Sequence, residues 1–271
     1  MNRKILTRIA LVLVALAGGG VALAWAYGLF DKSVHAASVG TSNTTQATTA
    51  DLQEALSLAK AAQSKLHQMK GYRCLYLRDE LIGNELLENY IKLAVQHEPF
   101  SVSMLWIEPK LKKDRKAIYV TGKNDGKMLV KQLFIKKTLD VDESIKLKES
   151  RHTILEAGLK NMMDRFVKSW EDEIKLAETT THYFDTTLEI TTSGKQHKYD
   201  CRCVETVHPV SVKDKYLFYK VKVYFSKADG IPVRMEGYDW PSSIYPEGRL
   251  VERYTYVDVK SEDVGEKEFQ L

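Results

Sequence analysis

The chain has 271 residues, with 40 Lys and Arg against 36 Asp and Glu, 44% hydrophobic and 28% charged residues, a composition that excludes disordered and fibrous classes. Arg3, Lys4, Arg8 and Lys32 fall in the first fifty positions with Asp31 as the one acid among them, so the remainder carries 36 basic and 35 acidic side chains. A body so near neutrality lacks the concentrated positive field that phosphate neutralisation demands, and no nucleic-acid partner is expected.

The first 37 residues read as a leader. Arg3, Lys4 and Arg8 precede 22 uncharged residues, Ile9 to Phe30, enough for a helix of roughly 33 Å, about one bilayer core. Two readings stay open. The length suits an uncleaved single-pass anchor, whereas Val34-His35-Ala36 offers a small-residue cleavage site and Gly18-Gly19-Gly20 weakens the helix, as in a removable signal peptide. In both, the basic flank stays cytoplasmic and the rest is exported, to the periplasmic face of the inner membrane or to the periplasm or beyond. Residues 38–50 form a Ser/Thr-rich stretch expected to act as a flexible tether, and 51–271 should form one domain.

Asp51 is a plausible N-cap with Glu54 completing a capping box, and Leu52, Ala55, Leu56, Ala59, Leu66 and Met69 recur at helical spacing up to Gly71. From Tyr72 the period changes to two. Strands are expected over residues 73–81, 86–95, 100–107, 117–121 and 128–135, joined by turns such as Gly83-Asn84 and Asn124-Asp125-Gly126. A second helix, capped by Ser150, is expected over 151–177 with a broad apolar stripe. Alternation resumes over 199–208, 216–226, 231–238 and 250–259. Helix, strands, helix, strands, without repeated βαβ units, argues for α+β with a curved antiparallel sheet.

Several blocks carry a resemblance: Glu98-Pro99-Phe100-Ser101-Val102, residues 119–126 (YVTGKNDG), Ser150-Arg151-His152 with Glu156-Ala157-Gly158-Leu159, Tyr238-Asp239-Trp240-Pro241 and Tyr254-Thr255-Tyr256. Together, over about Tyr72 to Val259, they resemble the bacterial domain-of-unknown-function family 1571. The family's fold is similar to the periplasmic lipoprotein carriers and receptors of the LolA/LolB type. That resemblance implies a half-open β-barrel covered by helices, and binding of a hydrophobic ligand or lipoprotein.

An acyl chain gains about 0.8 kcal/mol for each buried CH₂, so a lipid site needs unfilled apolar volume more than particular polar groups. The candidate lining is Phe100, Val102, Met104 and Trp106 from one strand face, with Met162, Met163, Phe166 and Trp170 from the second helix. A filled core between helix and sheet fits the same residues. The candidate polar rim is Arg151, His152 and Glu156 near the helix start, where a headgroup phosphate could sit, with Tyr238 and Trp240 near an opening.

Cys201 and Cys203 share one strand face and Cys74 lies in the first strand, so two readings stay open, a disulfide from Cys74 to either in an oxidising compartment or ordinary buried thiols. His197 adds no compact ligand spacing, so neither a metal nor a cofactor is expected. No nucleophile elbow, P-loop, HExxH or dinucleotide fingerprint is present, and the reading is non-catalytic. The sequence therefore suggests an exported envelope protein that binds a lipid, a lipoprotein or another amphiphile. The alternatives are an interaction module with a filled core and a hydrolase centred on His152.

Overall fold

The computed structural model describes residues 48–49, 52–192 and 194–271. The leader, most of the tether and the Asp51 cap lie outside the described residues. Among the described residues no helix is long and apolar enough to cross a membrane.

The first helix, α1 (Leu52–Gln68), buries Leu52, Ala55, Leu56, Ala59, Ala62 and Leu66 along one stripe. Gly71 then opens a strand, not a helix cap: a Cβ there would collide with the Val95 carbonyl oxygen on the neighbouring strand. The strands are β1 (Thr48–Thr49), β2 (Gly71–Ile82), β3 (Glu85–Gln96), β4 (Ser101–Glu108), β5 (Lys116–Val120), β6 (Met128–Gln132), β7 (Ile135–Leu139), β8 (Thr180–Thr192), β9 (Lys195–Val207), β10 (Lys220–Ser226), β11 (Pro232–Tyr238) and β12 (Leu250–Ser261). Between β7 and β8 lie one turn of helix, α2 (Glu143–Lys146), and α3 (Leu159–Leu176).

All twelve strands join one antiparallel sheet in the order β1-β8-β9-β10-β11-β12-β2-β3-β4-β5-β6-β7. Its two ends in that order, β1 and β7, are not paired to each other, so the barrel stays open. A sheet this wide must curl. The curl is visible in the core, where Tyr183 of β8, Val223 of β10, Tyr254 of β12, Val102 of β4 and Met128 of β6 all join one cluster with α1 and α3. Register shifts at Tyr224/Phe225, Gly237/Tyr238, Val257/Lys260 and Tyr90/Ile91 supply the local bends. The architecture is thus the expected curved antiparallel half barrel with helices on its concave face.

Three details differ from the sequence expectation. The stretch 128–135 is a hairpin, because Leu133 adopts φ 55° and turns the chain between β6 and β7. Strand β8 is not among the expected strands: its Thr-rich sequence has weak alternation, and its partner β9 selects it. The second long helix starts eight residues later than expected. Gly158 sits at φ 102°, outside helical space, and the Leu159 N–H donates to Tyr72 Oη at 2.8 Å. The tyrosine thus satisfies the first free N–H of that helix end.

The convex face carries its own smaller cluster, in which Leu188, Ile190, Cys201 and Cys203 pack with Leu77, Val233 and Val257. The expected disulfide is therefore corrected. Cys74 belongs to the concave core, Cys201 and Cys203 to the opposite face, and three strands separate β9 from β2, roughly 19 Å at 4.8 Å per strand. All three are free, buried thiols, and burial pushes each well up, Cys201 to about 12. A thiol-reactive reagent is expected to titrate none of them in the native chain and all three in denaturant. Reducing agent should leave the Tm unchanged, and a drop would revive the bridge.

Candidate functional site

On β2 the even positions point to the concave side, and the alternation Tyr72, Cys74, Tyr76 continues into two charged residues, Arg78 and Glu80. On β12, register with β2 sets Tyr256 opposite Tyr76, Tyr254 opposite Arg78 and Glu252 opposite Glu80. The apolar floor thus gives way to charge along the same face. Met104 and Trp106 of β4, Ala117 of β5, and Met128 and Val130 of β6 extend the floor, and the segment 144–157 forms the other wall. Together they enclose a half-open recess of about 840 Å³, its open mouth included.

The floor is aromatic. Tyr76 stacks on Tyr256 at 4.9 Å and 22°, and Trp106 donates its indole N–H to buried Asn89 at 3.1 Å. The walls are arginines matched to carboxylates. Arg115 donates to Glu149 at 2.6 Å and Arg165 to Glu156 at 2.7 Å, while Arg78 Nε lies 3.6 Å from Glu80 and its guanidinium stands over the Trp106 ring. Glu80 also accepts from Tyr254 Oη at 2.8 Å and Ser150 Oγ at 3.3 Å. Burial would raise Glu149, but Lys112 and Arg115 beside it hold it below the usual carboxylate range. Burial pulls the Lys112 ammonium down to about 8.

His152 lies at the centre of the polar wall. Its Nδ1 is 2.9 Å from Glu156 and its Nε2 2.9 Å from Glu252, which Arg151 also approaches at 3.2 Å. Burial opposes its charge, yet the bonds to Glu252 and Glu156 outweigh that and raise it above the ordinary imidazole value. Two carboxylates, one on each ring nitrogen, favour the protonated ring. The two hydroxyls nearest in sequence donate to carboxylates instead of His152, Thr153 Oγ1 to Glu156 and Ser150 Oγ to Glu80. The arrangement is a charge clasp, in which carboxylates engage both ring nitrogens of His152.

Of the eight apolar candidates, Met104 and Trp106 line the recess. Val102, Met162, Met163 and Trp170 are buried in the closed core, and Phe100 and Phe166 pack against it. Arg151, His152 and Glu156 do come together, but in a loop where Thr153 and Glu156 form a capping box around a short 3-10 turn, not on a helix face. Tyr238 and Trp240 are elsewhere. Tyr238 donates to Glu236 on the convex face, and Trp240 packs against Tyr219 with the rings tilted by 54°. Sequence reasoning missed Tyr76, Arg78, Glu80, Arg115, Glu149, Glu252, Tyr254 and Tyr256. The available signal was the pair of charges, Arg78 and Glu80, at inward parity on an otherwise apolar strand face.

No curated protein matches this chain. Among solved structures it is similar to the Mycobacterium tuberculosis lipoprotein LppX, at 12% identity and a TM-score of 0.44 over 79% of this chain and 98% of that one. It is also similar to an uncharacterized conserved protein of Thermus thermophilus, at 8% identity and a TM-score of 0.41, covering 80% of this chain and 93% of that one. A LolA superfamily protein of Nitrosomonas europaea matches at 11% identity and a TM-score of 0.31, over 82% and 98%. Residues 69–270, three quarters of the sequence, match the family described as a protein of unknown function (DUF1571), and the chain belongs to that family.

Proposed function

We propose that this chain is an exported envelope protein that holds an amphiphile in the recess without covalent chemistry. The supporting observation is the split lining: Tyr76, Met104, Trp106, Met128 and Val130 for an apolar tail, and Arg78, Arg115 and Arg165 with their carboxylates for a polar head. This site shares Met104, Trp106, His152 and Glu156 with the one the sequence suggested. Export rests on the leader, as an anchor or as a cleaved signal.

The test fills the recess. Val130 lines it and is only half-buried, so Val130→Trp should occupy the space at little cost to the fold. Native mass spectrometry of the purified chain is expected to show a bound amphiphile that this variant loses by about tenfold, the size of 1.4 kcal/mol. Circular dichroism should be unchanged. Retention of the same ligand by the variant would remove the recess as its site. Repeated delipidation with nothing recovered from the parent chain would favour the interaction module with its filled core.

A further inference from the structure

In an antiparallel sheet successive hairpin connections alternate between its two ends. The β2–β3, β4–β5 and β6–β7 connections therefore share one end. The β9–β10 and β11–β12 loops join them, since Lys220 pairs with both Val207 and Tyr238, and Arg249 donates to the Asn84 carbonyl in the β2–β3 turn at 3.0 Å. Each of these five connections, or the first residues of its following strand, exposes large apolar side chains: Leu86, Leu111, Leu133 with Phe134, Val210 with Leu217, and Ile244 with Tyr245. Phe134 is 86% exposed and Ile244 78%. The β3–β4, β5–β6 and β10–β11 connections at the opposite end expose no large apolar side chain, and the latter two are mostly polar, residues 121–127 (TGKNDGK) and 227–231 (KADGI).

Isolated exposed leucines are ordinary, but a one-sided rim of them is not. Charge follows the same side. Residues 109–115 and 131–137, which flank Leu111, Leu133 and Phe134, hold six lysines and Arg115 against Asp114 alone. Glu149 reaches in to answer Arg115 and Lys112, which leaves the segment strongly positive. The two loops are tied together and to the recess: Gln132 donates to the Leu111 carbonyl at 2.9 Å, and Arg115 bonds both Gln132 and Glu149 on the recess wall. Apolar tips ringed by lysines match a bilayer surface, in which tips enter the acyl boundary and ammonium groups meet anionic headgroups.

We propose that this end of the half barrel, centred on Leu111, Leu133 and Phe134, docks on an anionic lipid surface and inserts those tips shallowly. The proposal stands whatever the recess holds. It would place the recess next to the membrane from which an amphiphile enters.

The native thiols are buried, so an environment-sensitive NBD label can be directed to Phe134→Cys or, at the opposite end, to Ala228→Cys in the full chain. Both labels ride on the same leader, so capture of vesicles by the leader affects them alike. On phosphatidylglycerol-containing vesicles the label at 134 is expected to brighten and shift to the blue, while the one at 228 stays water-like. High salt, or Lys131→Glu with Lys137→Glu, should abolish the shift. A water-like label at 134, an equal response at 228, or an equal shift on purely zwitterionic vesicles would overturn the proposal. So would a shift at 134 that appears without lipid on self-association, which would make the rim a protein interface.

Discussion

Glu252→Ala is expected to destabilise the fold by about 3 kcal/mol, the cost of leaving two partly buried cations without the buried carboxylate they share. Glu252 is 1% exposed, and both Arg151 and His152 converge on its Oε2, so its loss leaves the imidazolium with Glu156 alone. Urea unfolding followed by circular dichroism measures this through the midpoint at constant m. A cost below about 1 kcal/mol, the level of an exposed pair, would refute the clasp. The same clasp gives a pH dependence with a definite sign. The folded state raises His152 above its free value of about 6.5, so its contribution is complete below that pH and is lost as pH rises through the raised value. Glu156 is held low, by the Thr153 N–H, His152 and Arg165 against the effect of burial, so its contribution is lost only as pH falls through the depressed value. Between those limits His152 and Glu156 are both charged. His152→Ala should remove the alkaline part of the profile.

Trp170→Ala is expected to cost a comparable amount, about 3–5 kcal/mol, because it empties a large volume in a closed core. Trp170 is 1% exposed and packs with Phe166 at 5.3 Å beneath α3. The neighbouring Phe166→Ala, only half-buried, should cost distinctly less. This pair separates two views of α3. A helix roofing an empty acyl tunnel would tolerate truncation of Trp170 with a small loss, whereas the packed helix described above would not. Equal and small effects at both positions would reopen the space between α3 and β4 as a ligand site.

The fold was largely legible because burial and period are local properties of a sequence. Alternation from Tyr72 to Val95 and from Val221 to Phe225 marks strand faces whichever neighbours they acquire, and the stripe from Leu52 to Leu66 marks a helix in the same way. The failures came where a partner decides. The threonine-rich β8 is a strand because β9 pairs with it along thirteen residues, from Thr180↔Val207 to Thr192↔Lys195. Gly158 ends the preceding loop instead of lying inside a helix because Tyr72, 87 positions earlier, takes the first helical N–H.

The candidate site divides along the same line. Sequence by itself determined that this is an α+β antiparallel body with a strongly apolar inner face and a polar cluster at Arg151, His152 and Glu156, since residue type and spacing carry that information. Only the tertiary structure decided where space is left. Met162, Met163 and Trp170 look like cavity residues in isolation, yet they interlock with the sheet, while the recess opens where Arg78 and Glu80 meet Tyr254 from a strand 174 residues away. The same holds for Cys74, Cys201 and Cys203, whose parity is readable but whose opposite faces follow from strand order. A void is a property of side chains from many elements failing to meet, and no single stretch of sequence contains it.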